Sequence, residues 1–216
     1  MKQIKIPNYS KEEEVINSVT HAVGSVAALI GLIMLVKRSL LQNSSITLIS
    51  SIIFGLALFI LYLSSSLYHG IPKQYKLKKA FRVIDHCNVF ILEAGTFTPV
   101  CLLLLKGFLG LTYFIIIWIL ALIGIILNII NVDKYENISL FFHLFIGWSI
   151  LLVFNRLISS LTIEGLRYLF GGGLIYTVGA FLYYIGAKKK YMHSVFHFFC
   201  LAGSFFHFLL VYLFLL

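Results

Sequence analysis

Residues 192–216 read MHSVFHFFCLAGSFFHFLLVYLFLL. No Asp, Glu, Lys or Arg interrupts this run. Wound as an α-helix at about 1.5 Å per residue, it covers the roughly 30 Å of a bilayer's hydrocarbon core. A transmembrane strand would instead alternate apolar and polar residues with period 2, and this stretch does not. It therefore sets the fold class as an all-α integral membrane protein.

Six more apolar runs precede it, at 17–36, 45–69, 80–105, 108–131, 137–159 and 165–187. The sequence thus predicts a seven-transmembrane helix bundle forming one domain over residues 1–216. The sixth run is the weakest, because Gly171, Gly172 and Gly173 interrupt it. Composition agrees with the class. Hydrophobic residues make up 60% of the chain and charged residues 12%, about half the roughly 25% of soluble domains. A soluble enzyme, a disordered tail and a secreted disulfide scaffold are excluded. Cys87, Cys101 and Cys200 all lie in apolar runs and form no C-x-x-C pair, so neither a disulfide framework nor a thiolate metal site is expected.

The net charge of +9 is confined to short loops, which argues for the positive-inside rule and not for nucleic acid. Lys2, Lys5, Lys11, Lys73, Lys76, Lys78, Lys79, Arg82, Lys134, Lys188, Lys189 and Lys190 fall on one side. Lys37, Arg38, Lys106, Arg156 and Arg167 fall on the other. Twelve of the 17 basic residues thus share the N-terminal side. That predicts a cytoplasmic N-terminus and, with seven spans, a C-terminus outside.

Ionisable groups inside membrane spans are costly and usually face the bundle interior. Here they gather at the cytoplasmic ends of four spans. Span 1 begins with Glu14, Asn17 and His21 on one helix face. Span 2 ends in Ser64-Ser65-Ser66-Leu67-Tyr68-His69, span 3 begins with Asp85-His86, and span 7 with His193 and His197. Four residues apart on a helix, His193 and His197 stand about 40° and 6 Å from one another. Both rings can then reach one metal ion, as in helical H-x-x-x-H zinc sites. His69 is the other histidine that ends a span at this depth without an adjacent carboxylate, and supplies a third nitrogen. Three histidines with an open fourth position are the donor set of a catalytic zinc. Ser65 lies one turn before His69, and Asp85 is placed to take a proton from a water at that open position.

The remaining polar groups have plainer readings. His86, His143 and His207 are expected to pack between helices, with His207 paired to Glu93. Ser64 to Ser66 can bond back to helix carbonyls. Glu12 to Glu14 read as a solvated first turn that complements the helix dipole.

Four segments carry a family resemblance. They are Glu14-x-x-Asn17-x-x-Thr20-His21, Ser65-x-x-x-His69, Asp85-His86 with Gly95-Thr96-Phe97-Thr98-Pro99, and His193-x-x-x-His197 with Ala202-Gly203-Ser204 and His207. In this order, over nearly the whole chain, they resemble the hemolysin III family, the bacterial branch of the progestin and adipoQ receptor group. The resemblance implies a seven-helix bundle with a cytoplasmic N-terminus. It also implies Zn2+ on the positions of His69, His193 and His197, with Asp85 and Ser65 beside it. The wider superfamily includes alkaline ceramidases, which hydrolyse lipid amides. The functional expectation is a zinc-dependent hydrolase of a lipid amide or ester in a bacterial plasma membrane, with a membrane lipid as partner. The alternatives are a sensor or structural membrane protein with a structural zinc, and a membrane-permeabilising cytolysin or channel.

Overall fold

The computed structural model describes residues 4–186 and 189–216. Lys2, Lys188 and Ala187, the last residue of the expected sixth span, lie outside them. Among the described residues every regular element is helical: α1 (Lys11–Leu40), α2 (Ser45–Gly70), α3 (Lys76–Pro99), α4 (Gly107–Trp148), α5 (Phe154–Ser160), α6 (Ile163–Gly186) and α7 (Met192–Leu210). Wider helical turns extend α3 over Val100–Leu105 and α7 over Val211–Leu215. The first of these follows Pro99, whose missing N–H breaks the regular ladder.

Six stretches are long and apolar enough to cross a membrane: Lys11–Leu40, Ser45–Gly70, Lys76–Leu105, Gly107–Ser160, Ile163–Gly186 and Met192–Leu215. The fourth has 54 residues and contains both sequence runs 108–131 and 137–159. It is not a straight rod. Asn131 leaves the helical region at φ −169° and ψ 93°. Its side-chain oxygen accepts a hydrogen bond from the Lys134 amide at 3.0 Å, as an N-cap does. Beyond it the chain runs back along itself. Ser139 donates to Asn128 Oδ1 at 2.8 Å, and the Tyr113 hydroxyl donates to Ser149 Oγ at 2.8 Å. A straight helix would hold that second pair roughly 54 Å apart. The polar turn at Asn131 thus divides α4 into two antiparallel arms.

α1 begins six residues before its apolar run. Ser10 and Glu13 form a reciprocal capping box, which stabilises a polar first turn by satisfying two otherwise free amides. Further along α1, Val15, Val19, Val23, Val26, Ile30 and Ile33 are exposed while Asn17, His21, Gly24, Ala28 and Gly31 are buried or closely packed. Apolar side chains outward and polar ones inward are what a lipid solvent requires.

α1 packs on α2, α2 on α3, α3 on α4, α6 on α7, and α7 returns to α1. Small residues set the closest approaches. A Cβ on Gly95 of α3 would stand 2.5 Å from the Ala57 Cβ of α2, so only glycine fits there. One core cluster lies among α3, α4, α5 and the ends of α6 and α7, with Phe90, Cys101, Ile117, Ile146 and Leu157. A second lies between α1 and α2, with Leu35, Phe54, Leu61 and Tyr62. Gly171, Gly172 and Gly173 do not break α6. Gly172 makes room for a neighbour instead: a Cβ there would stand 2.5 Å from His207 Nε2.

Candidate metal centre

His69 closes α2, and His193 and His197 occupy the first turns of α7, which starts after Tyr191 in the left-handed conformation (φ 64°). The close α1–α2 and α1–α7 contacts bring these two helix ends together. His193 Nε2 stands 3.2 Å from His69 Nε2 and 3.1 Å from His197 Nε2. Among the described residues this is the group of three donors able to hold a metal ion, its ligand atoms all within 4.8 Å of one another. Around a tetrahedral ion with bonds of about 2.0–2.1 Å, neighbouring nitrogens stand roughly 3.3 Å apart. The three rings fit that spacing with small adjustments.

The residues around the rings hold them in place. Glu14 Oε2 lies 2.8 Å from His69 Nδ1. That bond takes the Nδ1 proton and leaves the Nε2 lone pair facing the cluster, the tautomer a metal ligand needs. Lys78 is buried, with its ammonium 2.9 Å from Glu14 Oε1. It also donates to the carbonyls of Tyr68 and Ile71 at 2.9 Å each and of His69 at 3.4 Å. A cation there neutralises the carboxylate and caps the negative end of α2. Ser194 donates to Asn17 Oδ1 at 2.6 Å, fixing α7 against α1. The His21 ring stacks on His197 at 3.6 Å and 5°. Glu14, Asn17 and His21, expected on one face of span 1, thus each support a different part of the cluster.

A covering segment completes the site. Lys73 donates to Asn8 Oδ1 and to the Tyr9 carbonyl, and the Lys5 amide donates to Asp133 Oδ2 at 2.9 Å. Between these ties the Tyr9 ring stacks on His193 at 4.9 Å and 20°. Burial pushes the Tyr9 hydroxyl far above its ordinary range, so it stays protonated. Arg82 pairs with Asp133 at 2.5 Å, which joins α3 to the turn of α4. Glu13 is buried and accepts the Tyr191 amide at 2.7 Å. Glu13, expected in a solvated turn, is therefore built into the site beside Glu14, and Glu12 alone of the three is exposed.

Asp85 and Ser65 line one cavity with His21, His193 and His197, the Ser65 hydroxyl beside the Asp85 carboxyl. The cavity holds about 250 Å³ and runs on between α3, the second arm of α4, α6 and α7 to Val100 and Leu169. Its walls are mainly apolar. His86 lines it too, while the His86 carbonyl accepts from Asn128 Nδ2 at 3.2 Å.

The expected Glu93–His207 pair does not form. Glu93 accepts from His143 Nδ1 at 3.1 Å, and His207 Nε2 donates to the Leu169 carbonyl at 3.2 Å. His207 faces α6 through the space left by Gly172. Sequence reasoning also missed Tyr9, Lys78, Arg82 and Ser194. Lys78 and Arg82 read as loop charges. Tyr9 precedes the first helix and follows no periodicity. For Ser194 the available signal was its place between the two histidines.

Comparison with known proteins bears on kinship. The family described as haemolysin-III related matches residues 9–208. The hemolysin-3 homolog of Bacillus subtilis (strain 168) is 37% identical over 91% of this chain and 91% of its own length. Hemolysin-3 of Bacillus cereus is 35% identical over 89% of this chain and 87% of its own. The human monocyte to macrophage differentiation factor is 26% identical over 94% of this chain and 84% of its own.

Proposed function

The chain belongs to the haemolysin-III-related family and is a multi-pass integral protein of the cell membrane, and from that premise we propose that it is a zinc-dependent hydrolase of a lipid amide or ester bond. One observation carries the reading. Two members of the three-histidine cluster, His193 and His197, line the same apolar cavity as Asp85 and Ser65, so a donor set adjoins a carboxylate and a chamber for an acyl chain.

His69, His193 and His197 would hold the ion. Imidazole nitrogens suit Zn2+, which when bound supplies Lewis acidity to an acyl carbonyl. Asp85 accepts the proton of the attacking water and returns it to the leaving amine or alcohol. Ser65 orients that carboxylate. Glu14 fixes the His69 ring, and Tyr9 with its strap keeps bulk water from His193. The cavity walls hold the acyl chain, which places its polar linkage at the histidine end.

The basic-residue asymmetry and the turn at Asn131 support a topology for this reading. The two arms of α4 are separate spans that turn at Asn131, which brings the number of spans to seven. The N-terminus lies in the cytoplasm and the C-terminus outside. The histidine end of the bundle then sits at the cytoplasmic interface, where a lipid's linkage to its headgroup lies.

A second reading is a lipid-sensing or structural protein in which zinc ties α2 to α7. The stacking of Tyr9 on His193 favours it, since a covered site suits a structural ion. Purified protein with one zinc per chain, incubated with ceramides and phospholipids, separates the two. Release of free fatty acid measured by mass spectrometry supports the hydrolase. Stoichiometric zinc with no product from any lipid class supports the structural reading.

A further inference from the structure

The chemistry above leaves one half-buried pair unused. Glu93 projects from α3 and His143 from the second arm of α4, and both line the cavity. Glu93 lies eight residues beyond Asp85, about 12 Å farther along the chamber. From there to Val100 another seven residues, about 10 Å, are mostly apolar wall. A carboxylate this far into a bilayer is expensive and usually has a task.

The pair is only half consumed by its own contact. His143 Nδ1–H donates to Glu93 Oε2 at 3.1 Å, and the ring rests on Phe90 at 3.9 Å between centroids. Among the described residues no side chain bonds His143 Nε2. The Glu93 carboxylate also accepts from the Gly147 backbone amide, which leaves further lone pairs on its two oxygens. With Nδ1 carrying the proton, Nε2 is an acceptor, and a carboxylate oxygen is an acceptor too. The free positions of the pair therefore ask for a ligand that donates.

The geometry points to a hydroxyl-binding subsite: Glu93 and His143 take a hydroxyl group carried partway along a lipid acyl chain whose polar end lies at the histidine cluster. This rests on the cavity being an acyl chamber. It adds a preference for hydroxylated over plain chains. A ketone at the same carbon is the discriminating control, since it offers only an acceptor.

The test is equilibrium binding of stearate, a mid-chain hydroxystearate and the matching oxostearate to the full-length protein in nanodiscs. Hydroxystearate should bind about tenfold tighter or more than stearate, the scale of a hydrogen bond to a charged acceptor, and oxostearate no tighter than stearate. In the Glu93→Leu, His143→Leu double variant that preference should vanish while stearate binding persists, which also reports that the variant is folded. Replacing both partners avoids leaving one buried group unpaired. Glu93→Gln, which brings an N–H into the chamber, should raise oxostearate affinity. Equal binding of hydroxystearate and stearate by the native protein, or a preference surviving in the double variant, overturns the subsite and leaves the acyl chamber standing. Failure of all three fatty acids to bind overturns the chamber and the subsite with it.

Discussion

The carboxylate of Glu14 meets the imidazole of His69 with Oε2 and Nδ1 2.8 Å apart, and the other face of that ring points at His193. An acid on α1 thereby sets the tautomer of a donor on α2. Outer partners of this kind typically tune metal affinity by about 10–100-fold. Glu14→Gln should lower zinc affinity on that scale while the chain remains folded, as read by competition with a fluorescent chelator. An unchanged affinity would show that Glu14 serves only to neutralise Lys78.

Each of His69→Ala, His193→Ala and His197→Ala should cut bound zinc strongly, since two nitrogens hold the ion poorly. His207→Ala should leave it in place, because His207 bonds the Leu169 carbonyl. Metal content by mass spectrometry on the four purified variants decides this, and equal zinc in all four would remove the cluster as a metal site.

Asp85→Asn keeps the shape of the side chain and removes the base. Zinc content should hold and lipid turnover should fall by about 100-fold or more, the range of general acid–base contributions. If turnover persists with zinc in place, the proton passes elsewhere.

Lys78 and Lys79 are neighbours with opposite fates, one buried under α2 and one exposed. Lys78→Met should cost about 3–5 kcal/mol, the penalty for stranding the other half of a buried ion pair. Lys79→Met should stay within about 0.5 kcal/mol, as surface changes do. Unfolding in mixed micelles measures both.

Reporter fusions at Leu216 should be active only on the outer side, and fusions at Asn43 likewise. A Leu216 fusion active in the cytoplasm would contradict seven spans with the N-terminus inside.

Much of this was legible in the sequence because bilayer physics leaves few choices. Apolar runs of the right length must be helices, and the costly histidines at matching depth had to face one another. What the sequence did not carry is angular position around the bundle. Sequence reading paired Glu93 with His207, yet the side of α7 that bears His207 turns toward α6, and His143 took the place opposite Glu93. Charge counting treated Lys78 and Arg82 as loop residues, since a basic residue at the edge of an apolar run looks the same whether it meets water or a carboxylate. The start of α1 was also placed late, because hydropathy registers the apolar face and not the Ser10–Glu13 cap that begins the helix.

The candidate metal donors lie 124 residues apart from His69 to His193, and α7 supplies two of the three. During synthesis α1 to α6 can pair with near neighbours as they emerge, the arms of α4 among them. The donor set does not exist until α7 docks against α1 and closes the ring. A chain halted before α7 holds only one of the three histidines, so on the proposed function metal loading would mark the molecules whose assembly has finished.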